Sequence, residues 1–163
     1  MALVEIVKLK CIMDFSRDFY WHDAVIKGII INRNNPGVVD EIGIDIVWTK
    51  EYDSEDDEDD EKEEKEEEVI QRIVFEGVFW ANLDLNFGYL GGGGDNILDA
   101  DMLDNNDEDL VNFYSTWKGL RDNIKLNVYI INLSTSGGKI KIISKGFRIE
   151  ESKNIKSWIR RMY

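Results

Sequence analysis

Residues 51–68, EYDSEDDEDDEKEEKEEE, constrain the fold more than any other part of the chain. They place 14 acids and two lysines in 18 consecutive positions. A buried carboxylate needs a partner, so a run of this density cannot enter a core and must connect other elements at the surface. It stands between two apolar stretches, 41–50 and 69–87. The chain as a whole holds 33 acids and 20 bases; without the acidic run it holds 19 and 18. The body is therefore close to neutral and the acidity is local. A nucleic-acid mimic, which needs negative charge spread at phosphate-like spacing, is disfavoured on this ground.

The flanks read as strands. Residues 41–50 alternate, with Ile42, Ile44, Ile46 and Trp48 on one face and Gly43, Asp45, Val47 and Thr49 on the other. Residues 2–13 carry Leu3, Val7, Leu9, Cys11 and Met13 on one face, and 24–32 are β-branched on both. Residues 69–87 form a long apolar stretch that Gly77 bends or bulges. Residues 124–133 and 139–150 predict a hairpin across Ser134–Gly138. One helix is expected at 106–118, with Leu110, Phe113, Tyr114 and Trp117 on a stripe, acids in its first turn and Gly119 beyond its end. A second is expected at 152–162, from Ile155, Trp158, Ile159 and Met162.

Strands follow one another without β–α–β crossovers, so a parallel sheet is disfavoured. The expectation is a single β-rich domain over 1–163, interrupted by the insert at 51–68. Its fold class is mainly β: an antiparallel β-sandwich, jelly-roll or immunoglobulin-like, with one or two short helices. An α+β single sheet is the alternative. A chain of 163 residues is long enough to bury a core. A lone cysteine, Cys11, makes no internal disulfide and no Cys-rich zinc site. No window approaches the ~20 apolar residues of a membrane-spanning helix. Glu5, Lys8 and Lys10 interrupt the N-terminal apolar stretch where a signal peptide has an unbroken core. The location expected is intracellular, cytoplasmic or nuclear, or virion-associated.

Catalytic signatures are weak. His22 is the sole histidine, and no nucleophile stands near it in sequence. Gly91–Gly94 is followed by Asp95 and Asn96, where a phosphate loop requires Lys and then Ser or Thr. The acids from Asp95 to Asp109 suggest calcium, but their spacing fails the EF-hand pattern. Neither a metal nor a cofactor is assigned, and an enzyme is the least favoured class.

The remaining candidates are binding features. Glu55, Asp56, Asp57, Glu58, Asp59, Asp60 and Glu61 form either a solvated loop or a docking strip for a partner with a basic surface. Ser54, followed by three acids, has the pattern of an acid-directed phosphorylation site. Tyr20 and Trp21 sit in an aromatic cluster that either stacks on a ligand or closes one end of the core. Residues 139–163 carry eight bases against two acids, the opposite polarity to the insert, which suggests self-association into a homo-oligomer. Nucleic acid is disfavoured as a partner. The leading expectation is a non-catalytic interaction or structural subunit, compatible with a viral or phage source. The alternatives are an acidic chaperone of basic proteins such as histones and a carbohydrate-binding β-sandwich.

Overall fold

Alternation along residues 41–50 sets the frame of the molecule. In the computed structural model, which describes residues 13–19, 21–22, 24–50, 67–85, 96–119, 123–134 and 137–150, these residues lie in the second of six strands. The elements are β1 (Val25–Asn35), β2 (Val39–Lys50), β3 (Glu67–Asp84), β4 (Ile97–Leu103), α1 (Glu108–Thr116), β5 (Asn127–Leu133) and β6 (Lys139–Glu150). All pairings are antiparallel, in the order β1-β2-β3-β6-β5-β4. Among the described residues the protein is thus mainly β, one antiparallel six-stranded sheet with one short helix.

Two clusters of apolar side chains flank this sheet. The larger draws Ile44 from β2, Phe75 from β3, Ile97 from β4, Ile131 from β5 and Ile142 from β6. Phe15, Phe19 and Trp21 close it from the N-terminal side. Phe15 is the hub, its ring centroid 4.8 Å from Trp21, 4.9 Å from Tyr129 and 5.3 Å from Phe147. The second cluster, on the opposite face, seats α1 through Leu110 on Leu126, Val128 and Ile143.

The long third strand serves both clusters through its two faces, with an irregularity beginning at Gly77. Gly77 adopts φ +58°, a left-handed conformation that costs an L side chain about 1–2 kcal/mol. The register against β6 slips between Val78 and Trp80. After the bulge, Ala81 and Leu83 pack on the larger cluster while Trp80 packs against the helix cluster. The bulge expected at Gly77 is present in one continuous strand.

Local chemistry sets the helix ends. Asp107 is the N-cap, accepting from the amides of Asp109 and Leu110 at 3.1 and 3.3 Å. Lys141, on the outward side of β6, donates to Asp107 at 2.8 Å and also to Asp109, which moors the helix to the sheet. Tyr114 Oη donates to the Ile124 carbonyl at 3.0 Å and accepts from the Leu126 amide at 3.1 Å. The helix spans 108–116 rather than 106–118, because the cap starts it at 108 and Trp117 stands at its end, 57% exposed.

The largest departure from expectation is β4. Residues 97–103 fall between the elements expected at 69–87 and 106–118, yet they pair with β5. A register shift between Ile97 and Asp99 puts Ile97 and Ala100 in the core, three residues apart. That removes the two-residue alternation by which a strand is recognised. The two edge strands also meet: Val25 bridges Asn96, and the Ile97 amide donates to the Ala24 carbonyl at 2.7 Å. The strand expected over 2–13 and the helix expected at 152–162 lie outside the described residues, save Met13, which is irregular and exposed.

The hydrogen bonds from Lys141 have a pH signature. Burial lowers the lysine's affinity for its proton, but the bonds to Asp107 and Asp109 outweigh it and the pKa rises above the ordinary 10.5. A raised lysine pKa stabilises the fold fully below the unfolded value, and that stabilisation disappears as pH rises through the folded one. Lys141→Met is therefore expected to cost about 1–2 kcal/mol near neutral pH. In urea titrations, the gap between wild type and variant should narrow as pH passes 10.5.

Candidate functional site

The β2–β3 ladder carries the acidic run at one end. Its register is unbroken from Glu41↔Glu76 to Lys50↔Glu67. The segment 51–66 leaves one strand at Lys50 and returns at the residue paired with it. Glu55, Asp56, Asp57, Glu58, Asp59, Asp60 and Glu61, together with Ser54, lie in that segment and outside the described residues. Its two ends are nonetheless fixed as cross-strand neighbours, so the acids are attached at the closed end of a hairpin.

The outward face of β1, β2, β3 and β6 forms three rows of residues in register. The first is Gly28, Asp45, Arg72 and Glu150. The second is Ile30, Gly43, Val74 and Arg148. The third is Asn32, Glu41, Glu76 and Gly146. Charges alternate in sign along the first row, and Arg148 of the second row lies between acids of the first and third. Arg72 grips Asp45 through both carboxylate oxygens, at 2.6 and 2.9 Å, and lies 3.7 Å from Glu150. Arg148 joins Glu41 at 2.8 Å, Glu76 at 2.9 Å and Glu150 at 3.0 Å. Two arginines thus serve four carboxylates, which leaves the face net negative.

Two glycines border this network. Asp45 is only 4% exposed. A Cβ at Gly28 would stand 3.5 Å from its Oδ2, and one at Gly43 would stand 3.4 Å from the Arg72 Cδ. The polar face expected for 41–50 is therefore not solvated: Asp45 is covered by Arg72, and Val47 is buried beside it. Both arginines hold their protons more tightly than usual. For Arg72 the cause is the hydrogen bond it donates to Asp45; for Arg148 it is the one it donates to Glu41, with Glu76 and Glu150 adding to it and burial opposing.

The other candidates separate. Trp21 is 4% exposed, and its indole Nε1 donates to the Phe15 carbonyl at 2.6 Å, so it belongs to the core. Tyr20 and Cys11 lie outside the described residues. Asp104 and Asp107 accept backbone amides, Asp99 accepts from Asn132 at 2.6 Å, and Asp101 accepts from Ser16. Among the described residues, no three His, Cys, Asp or Glu side chains are placed to hold a metal ion. No helix among them is long and apolar enough to cross a membrane. A shallow groove of about 500 Å³, lined by Ile31, Val38, Phe79 and Lys145, lies at the end of β2–β3 away from the acidic run. Val38 and Ile31 are 75% and 60% exposed there.

Sequence reading missed the charged face. Its signal was present in Arg72 and Arg148, bases flanked by apolar residues within their strands, but their partners depend on a register that only the pairing reveals. The chain matches no family model, no curated protein and no solved structure.

Within the charged face, the buried and the half-exposed pairs should behave differently. Asp45→Asn weakens the partner of a largely buried guanidinium and is expected to cost about 2–4 kcal/mol. Arg148→Met removes a half-exposed cation and is expected to cost about 1 kcal/mol or less. Chemical denaturation of the two variants against wild type measures both.

Proposed function

We propose that the protein is a non-catalytic interaction or structural subunit whose acidic segment docks a basic surface on a protein partner. The observation that carries this reading is the attachment of the acids at Lys50↔Glu67, the closed end of an unbroken ladder. Segment 51–66 holds 12 acids and two lysines, against a near-neutral remainder. The described carboxylates of the sheet face have partners of their own, so the segment supplies the concentrated charge. At physiological salt the reach of such charge is about 8 Å, which suits steering and multipoint contact. Ser54, if phosphorylated, adds about 1.5–2 negative charges to the strip.

The finer architecture we infer is a sheet folded over on itself in the manner of a sandwich. The bridge between the two edge strands and a core drawn from strands across the whole sheet support it. Such a body offers a rigid base from which the acidic segment extends.

The test replaces residues 52–65 of the full chain with a short Gly/Ser turn. Binding of an oligolysine peptide, followed by titration calorimetry, is expected to fall severalfold in the variant. In the wild type, binding should weaken steeply as salt rises. Equal affinity in both proteins, or binding indifferent to salt, would overturn the proposal.

A further inference from the structure

The irregularity in β3 builds a surface of its own. Register against β6 passes from Val78↔Ser144 to Trp80↔Ile143, so Phe79 is the extra residue of a bulge. Its side chain is 37% exposed, and its ring stands 6.0 Å from Phe113 of α1. Lys145 lies beside it. A Cβ at Gly77 would come within 2.8 Å of the Lys145 Cδ, so the lysine stem occupies the space that the glycine leaves. The Lys145 Nζ stands 5.9 Å from the centre of the Phe79 ring, within cation–π reach.

Ile31 of β1 and Val38 of the β1–β2 turn complete the groove of about 500 Å³ with Phe79, Trp80 and Lys145. Single exposed apolar residues are ordinary. Ile31, Val38 and Phe79 instead share one groove, and a contiguous apolar patch of this kind takes a partner. The other charges along the groove are already satisfied. Arg33 holds Asp40 at 2.9 Å, and Arg148 holds Glu41 at 2.8 Å. Lys145 forms no ion pair with a described carboxylate. On a chain of net charge −13, the groove therefore joins apolar surface to an available cation.

We propose that this groove docks an apolar segment of a partner protein that carries a carboxylate beside its apolar side chains. The carboxylate meets Lys145, and the apolar groups cover Ile31, Val38 and Phe79. A second copy of this chain is disfavoured by its own net charge. The chain's own acidic segment has the carboxylates, but Tyr52 is the one large apolar residue among 51–66, and the segment is attached at the other end of the β2–β3 ladder. The groove thus selects a ligand of the opposite charge to the one the acidic segment selects, and it stands independently of that reading.

The test titrates the isotope-labelled full chain with two capped peptides, Glu-Leu-Phe-Leu-Glu and its counterpart Gln-Leu-Phe-Leu-Gln. Amide signals of residues 31, 38, 77–80 and 145 are expected to shift saturably, while those of 97–103 keep their positions. The acidic peptide is expected to bind about two- to fivefold more tightly than the neutral one, the range of an exposed ion pair. Lys145→Gln should abolish that preference, and Lys145→Arg should retain it. No saturable shift at the groove, or equal affinity for the two peptides, would overturn the proposal. The same signals moving when the chain alone is diluted would place a second copy in the groove and overturn it as well.

Discussion

Everything the structure organises depends on the unbroken antiparallel ladder between β2 and β3, ten consecutive pairs from Glu41↔Glu76 to Lys50↔Glu67. Because side chains alternate, one register fixes three things at once. It aligns Ile44 with Ile73 and Ile42 with Phe75 on the core side. It sets Asp45 opposite Arg72 on the outward side. It also brings together the two ends of the acidic run. A slip of one residue would expose the isoleucines and bury the charges without partners, at several kcal/mol for each lost pair. The ladder is thus selected by both of its faces.

Packing and electrostatics support each other around it. Arg72 covers Asp45, with its aliphatic stem over Gly43 and the carboxylate beside Gly28 of β1. Farther along the same face, Lys141 plays a comparable part, joining the helix N-terminus to β6 through Asp107 and Asp109. In both places a cation on a strand meets an acid that is little exposed, where a bare surface pair would contribute about 0–1 kcal/mol. Polar contacts in these positions specify register and helix placement, while the two apolar clusters supply the bulk of the stabilisation.

Much of the fold was legible because local patterns agreed with the final arrangement. The alternation of 41–50, the hairpin of 127–133 with 139–150, the bulge at Gly77 and the acid-capped helix follow from residue spacing and turn chemistry. β4 was not legible, since its bulge places Ile97 and Ala100 three apart and its exposed Asp99 and Asp101 resemble a loop. The aromatic cluster was read two ways, and the burial of Phe15, Phe19 and Trp21 assigns those three to the core. The charged face was illegible for a different reason. Its members come from three strands, its bonded pairs join residues up to 107 apart in sequence, and nothing local links Arg148 to Glu41.

The central claim is that the acidic segment is a separable attachment to a self-sufficient hairpin. Native-state hydrogen exchange of residues 42–47 and 70–75 tests it most directly, comparing the full chain with one in which 52–65 is a short Gly/Ser turn. Shortening the connection from 16 residues to about four lowers its closure cost by about 1 kcal/mol and removes the repulsion among its acids. The account predicts protection at these amides that is equal or greater in the variant. Faster exchange there, showing that the ladder relies on the acidic segment, would contradict it.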